Sequence, residues 1–222
     1  MKPYFFLIFL CSSLAFSQKD SLQIGDKYLE DQLYLGISFN QLFSQPELIN
    51  GSGFSYGLTS GYIKDIPLNK QGSFSLGIGI GYAYDSYNHG FELKSVQDEV
   101  VFTVPNVLSS NSLKTHSIEM PFEIRWRTST ANQYKFWRVY SGIKFNYNIK
   151  NTFLYESNGV VSTYENVARY DKFNYGLTLS AGYADFNFNL YVGLKPLLKN
   201  ASQGEADINT KVIKMGLIFY IL

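Results

Sequence analysis

The sequence is poor in several things at once. It has a single cysteine, Cys11, in 222 residues, which excludes an internal disulfide framework and a cysteine-built metal site. Proline is scarce, at six residues, so few positions are barred from donating to a strand ladder. Neither sign of charge dominates: 19 Lys and Arg stand against 18 Asp and Glu, a formal charge of +1. That balance lacks the basic footprint of a nucleic-acid-binding chain. Long apolar runs are missing too. The run Tyr4–Leu10 near the start falls far short of the roughly 20 residues that a membrane-spanning helix needs. A mean hydropathy of −0.10 would pass for a chain in water.

What the chain has in abundance is aromatic side chains and glycine. Eighteen Tyr, eighteen Phe and eighteen Gly favour β-structure with small residues on one face. The first seventeen residues read as a targeting segment, with Lys2 as its positive start, Tyr4–Leu10 as its apolar run and Ala15-Phe16-Ser17 as a small-x-small cleavage site. Cys11 lies inside it, and Leu10 rather than a small residue precedes it, which argues against lipid attachment there. Cleavage would leave a chain starting at Gln18, with no thiol and, without Lys2, a formal charge of about zero. The expected organisation is a signal peptide over 1–17, a short polar lead over 18–31 and one domain over 32–222.

Period-two alternation recurs along that domain and predicts eight strands, because successive side chains of a strand point to opposite faces. They are Gln32–Asn40, Phe54–Asp65, Ser73–Tyr84, Lys114–Thr128, Phe136–Lys150, Asp171–Ala184, Phe186–Lys195 and Asn209–Leu222. In the last of these Ile213, Met215, Leu217, Phe219 and Ile221 alternate with Lys214, Gly216 and Tyr220. The Gly77-x-Gly79-x-Gly81 run sits at period two inside a strand, so it is no dinucleotide fingerprint, which needs its glycines at a strand-to-helix turn. It fits a crowded interior. Asp85–Leu113 and Asn151–Tyr170 read as long loops.

The strand number is even, and long and short connections alternate, as they do in a transmembrane barrel with short periplasmic turns and long extracellular loops. The polarity of the faces agrees. Opposite the aliphatic stripe lie Glu119, Glu123, Arg125, Arg127, Arg138, Lys144, Lys195 and Lys214, whereas a soluble eight-stranded barrel fills its interior with apolar side chains. The fold class expected is therefore all-β: an eight-stranded antiparallel transmembrane barrel, its apolar face to lipid and its charges to the lumen. Trp126, Trp137, Tyr183 and Phe186 would form a lower aromatic girdle, and Tyr84, Tyr147, Phe173 and Tyr175 an upper one. So narrow an interior predicts a salt-bridged plug in which Glu119 and Glu123 meet Arg138 and Lys144. About four bases exceed the acids in this set, a surplus that loop acids or water would balance.

Chemistry-bearing patterns are few. An enzyme working at the rim of a barrel would draw on His89, Asp85, Ser86 or His116, and acid-base work requires such groups within hydrogen-bond reach. His89 falls in a long loop and His116 at a strand start, so each reads as a solvated loop residue. No catalytic residue, cofactor or metal site is nominated.

The ending Lys214, Gly216, Phe219, Ile221 resembles the terminal signal by which outer-membrane barrels are recognised for insertion. Together with Phe16-Ser17-Gln18, the segment Lys114–Arg127 and the hairpin Lys172–Leu194, it is similar to the PorT-like outer-membrane barrel family of Bacteroidota. That resemblance implies residence in the outer membrane and a structural or assembly role in type IX secretion and gliding. Its implied partners are membrane lipid, the barrel-insertion machinery and other secretion-system proteins. A small solute channel and an orphan barrel are the alternatives.

Overall fold

Alternating side chains commit each long segment to one oily and one polar face, and the chain satisfies both by closing on itself. The computed structural model describes residues 31–44, 53–90, 92–96, 99–103, 110–128, 136–157, 159–167, 169–184, 186–198, 202–203, 206–207 and 209–221. The expected signal peptide and nearly all of the polar lead lie outside these residues. In chain order the strands are β1 (Gln32–Phe43), β2 (Tyr56–Pro67), β3 (Phe74–Tyr87), β4 (Glu92–Val96), β5 (Glu99–Thr103), β6 (Ser110–Arg127), β7 (Trp137–Ser157), β8 (Val160–Glu165), β9 (Phe173–Tyr183), β10 (Phe186–Gly193), β11 (Ser202–Gln203), β12 (Ala206–Asp207) and β13 (Lys211–Ile221).

Eight of them form a closed antiparallel barrel in the order β1, β2, β3, β6, β7, β9, β10, β13. Closure is made where Leu33–Phe43 pairs with Ile221–Lys211, so no edge is left around the ring. The outer wall is apolar: Leu33, Leu35, Ile37, Ile78, Ile80, Ile124, Leu177 and Phe188 are all exposed. At the lower end, where β1 starts and β13 finishes, Trp126, Trp137, Tyr183 and Phe186 face outward. Tyr147, Phe173 and Tyr175 do so higher up, and Tyr84 is half-buried beside the His116 ring.

The glycine stripes make room inside. A Cβ on Gly81 would stand 2.0 Å from the Tyr34 hydroxyl, and one on Gly61 2.5 Å from it. Tyr34 therefore crosses the lumen only because two neighbouring strands present no side chain there.

The upper end departs from the expected loops. Residues 85–87 and 110–113 belong to β3 and β6, and β4 and β5 form a hairpin between them. The stretch expected as a loop from Asn151 is strand as far as Ser157, followed by β8, which pairs with it. A bulge explains why alternation misled there. His116 pairs with Lys150 and Ser117 with Asn148, so Ile149 has no opposite number, and the extra residue reverses which face the odd positions occupy. Below it Val139, Ile143 and Tyr147 face out; above it Phe153 and Tyr155 turn in and are buried. Asn148 holds the bulge, its Nδ2 donating to the carbonyls of His116 (3.1 Å) and Lys150 (3.0 Å), while its Oδ1 accepts from Asn151 (3.0 Å).

Candidate functional site

The polar faces of the eight strands meet in a lumen filled by layers of their own side chains. At the lower end Asp65 is the hub. Its carboxylate accepts from Arg127 Nη2 at 2.7 Å, Arg125 Nη1 at 3.3 Å and the Ser75 hydroxyl at 2.7 Å. Arg125 also donates to Glu123 (3.1 Å) and to Gln32 (2.7 Å), and its guanidinium lies 4.2 Å over the Tyr140 ring. Glu123 and Arg125 are two apart on one strand, so they share a face.

Among the described residues Arg138 joins no carboxylate, contrary to the sequence expectation. Its guanidinium donates to the Ala184 carbonyl and stacks 4.2 Å over Phe136, with Tyr220 at 6.0 Å. It sits one residue into β7, at the lower rim, below the reach of Glu119. A turn carbonyl and aromatic faces are what the chain offers a cation at that height.

One layer up, Glu119 accepts from the Tyr34 hydroxyl at 2.6 Å and from Thr59 at 2.8 Å, and lies 3.2 Å from Lys144. Above it Asp85 takes Lys214 at 2.6 Å and Asn40 at 2.8 Å. Lys195 stands at the upper margin, partly exposed, 2.6 Å from Asp171. Of the eight charged positions nominated from the sequence, Arg125 and Glu123 pair together, as do Lys144 and Glu119. Arg127, Lys195 and Lys214 use acids that were not nominated, namely Asp65, Asp171 and Asp85. Extending the period-two pattern by one inward position past Ile63 and past Ala83 would have reached Asp65 and Asp85. Asp171 lies before β9, where alternation has not begun.

The top of the lumen is closed by an apolar cluster of Tyr87, Leu113, Phe153, Tyr155, Tyr170, Leu197, Leu198 and Val212. His89, expected as a solvated loop residue, is buried here and stacked on Phe153 with ring centroids 4.0 Å apart. Burial pushes the Tyr170 phenol well above its ordinary value, and the nearby Asp85 charge adds to the effect. His116 is on the outer wall, its Nδ1 against the Tyr82 hydroxyl. The two histidines therefore lie on opposite sides of the barrel wall and share no site.

Little space remains inside. Two lumen cavities, both bordered by Asn146, Tyr191 and Lys214, measure about 20 Å³ each, enough for about one water. By contrast, a depression of about 670 Å³ on the outer wall, lined by Leu76, Ile124, Trp126, Val139 and Phe145 among others, is apolar and belongs to the lipid face.

At the lower end Asp31, just before β1, is latched to β2. It accepts from Tyr62 (2.7 Å), Lys64 (2.8 Å) and the Asp65 amide (2.9 Å). Burial raises its pKa, but these three bonds outweigh it and hold the carboxyl below the usual range.

A closed ring of eight antiparallel strands, with hydrocarbon outside and ion pairs inside, defines a transmembrane β-barrel. The chain belongs to the outer membrane protein beta-barrel domain family, whose model matches residues 16–199, and its location is the outer membrane. No curated protein matches it in sequence.

Proposed function

We propose that the protein is a non-enzymatic structural or assembly barrel of a protein-secretion machinery, of the type IX or gliding kind that its resemblance to the PorT-like family implies. The observation that supports this reading is the filled lumen. Arginine, tyrosine and paired carboxylates stopper the lower end and an aromatic cluster stoppers the upper one, with cavities of only about 20 Å³ between. A solute pore needs a continuous wet path, so the surfaces left for work are the outer wall and the parts that rise above it. The chain reaches the membrane through the barrel-insertion machinery, reading Lys214, Gly216, Phe219 and Ile221 as its terminal signal. Of these, Lys214 points inward to Asp85, while Ile221 is exposed on the wall.

The test is an in-frame deletion in the native host with quantification of the secreted proteins. Cargo should fall in the medium and accumulate in the periplasm. Unchanged secretion would overturn the assignment to a secretion machinery, and discrete conductance steps from the purified barrel in planar bilayers would favour the channel reading.

A further inference from the structure

Aromatic rings form a continuous arc around the upper outer wall. Between centroids, Phe39 of β1 stands 5.9 Å from Phe54, Phe54 6.0 Å from Tyr56, Tyr56 6.1 Å from Tyr84, and Tyr84 5.2 Å from the His116 ring. The two ends of the arc differ in chemistry. Toward β1 it borders an apolar depression of about 410 Å³ whose lining also includes Ile37, Leu58 and Leu217. Toward β7 it meets cations: His116 pairs directly with Lys150, and Lys114, one outward position further up β6, is exposed like Lys150. Directly paired residues share a face and diagonal neighbours stand about 7–8 Å apart, so both ammonium groups reach one ligand beside His116. The carboxylate at hand is Glu165, 2.9 Å from Lys150, with both side chains about half exposed. Such a surface pair contributes little and leaves Lys150 able to serve a second anion.

We propose that this stretch of wall holds one outer-leaflet lipid with a phosphate headgroup, its phosphate on Lys114, His116 and Lys150 and an acyl chain in the depression at the other end of the arc. Height identifies the occupant. Tyr84 belongs to the upper aromatic girdle, and such girdles lie at the headgroup level. Lys114 stands two residues beyond His116, about 7 Å further along the strand, which is within the headgroup layer. Two ammonium groups and an imidazole there are complementary to a lipid phosphate, and the apolar depression suits hydrocarbon, which a soluble anion lacks. The leaflet is the outer one, because β9 and β10 are joined at the lower end by the two residues after Tyr183, while the upper-end connections are far longer. The proposal needs the barrel's place in the outer membrane and no part in secretion.

The experiment titrates the full-length barrel in dodecyl maltoside micelles with dioleoyl phosphatidic acid and reads bound lipid by native mass spectrometry. The barrel should retain phosphatidic acid saturably, and should retain dioleoylglycerol, which has the same chains and no phosphate, at least about tenfold more weakly. K114Q/K150Q should bind phosphatidic acid at least about tenfold more weakly than the parent, whereas K70Q, which removes an exposed ammonium from the β2–β3 turn at the lower end, should change the affinity less than about twofold. L58W, which fills the depression, should also weaken binding, and an unchanged affinity would overturn the placement of the chain. Equal affinity of the parent and K114Q/K150Q, or equal retention of the two lipids, overturns the proposal, as does displacement of the lipid by excess inorganic phosphate, which would assign the site to a free anion. Should K114Q/K150Q lose its heat-modified gel migration, the two lipids on the unaltered barrel still decide. An unaltered secretome on deletion would sink the secretion role and leave this result standing.

Discussion

Asp65 and Arg127 meet at 2.7 Å with neither side chain exposed at all, and the same carboxylate also serves Arg125. One anion from β2 thereby ties down two guanidiniums from β6 across the bottom of the lumen. Such a pair contributes little net stability when intact, because desolvation offsets attraction, yet removing one member is costly.

Asp65→Asn is expected to destabilise the barrel by about 3–5 kcal/mol. The temperature at which the folded gel band converts to the unfolded one should drop clearly. Glu123→Leu should lower it less, since Arg125 keeps Asp65 and Gln32. Equal shifts for the two variants would show that Asp65 is not the hub.

Deleting Ile149 removes the bulge but keeps Phe153 opposite Leu113 and Tyr155 opposite Asn111, so both rings stay inward. Phe153→Ala combined with Tyr155→Ala removes the rings without changing the register, and amide exchange across residues 153–155 and at Tyr170 should then accelerate while amides of Glu119–Arg125 stay protected. Retained protection at the top in the double variant would mean that these rings are not what closes the mouth.

Trp126 and Trp137 are the two tryptophans of the chain, and both face outward at the lower end. In vesicles of brominated lipids their fluorescence should be quenched more by bromines near the headgroup than by bromines at the chain ends. The reverse order would place that end in the bilayer centre and refute the girdle.

The Asp31 latch should be sensitive to acid. Its folded pKa lies below the ordinary 3.8, so whatever it contributes is complete above that value and is lost as pH falls through the lower folded value. The Asp65 amide, which donates to it, should titrate by NMR with a midpoint under 3.8, and Asp31→Asn should abolish the titration. A midpoint above the ordinary value would reverse the sign of the argument.

The ring itself was legible because period-two patterning is the physics that closes it: Ile78, Ile124 and Leu177 are on lipid for the same reason that they can be counted along the chain. The lumen was legible in part. Glu119 finds Lys144 because both sit mid-strand, where alternation is regular. Arg138 escaped prediction because it lies at a rim, where a turn carbonyl and the Phe136 ring compete with distant acids. Phe153 escaped because one inserted residue reverses parity, and beyond it Phe153, Leu154 and Tyr155 are apolar in a row and show no period of two; His89 escaped because only the inward Phe153 ring gives it a place to stack.

That insertion also marks a waterline. Along β7 the odd-numbered side chains below Ile149 answer to hydrocarbon, and those above it to the protein's own interior. The height at which the barrel rides in its bilayer is thus written into the strand by one extra residue. Whatever rises beyond that level, β8 included, is released from the demands of the membrane and answers to the water and the protein around it.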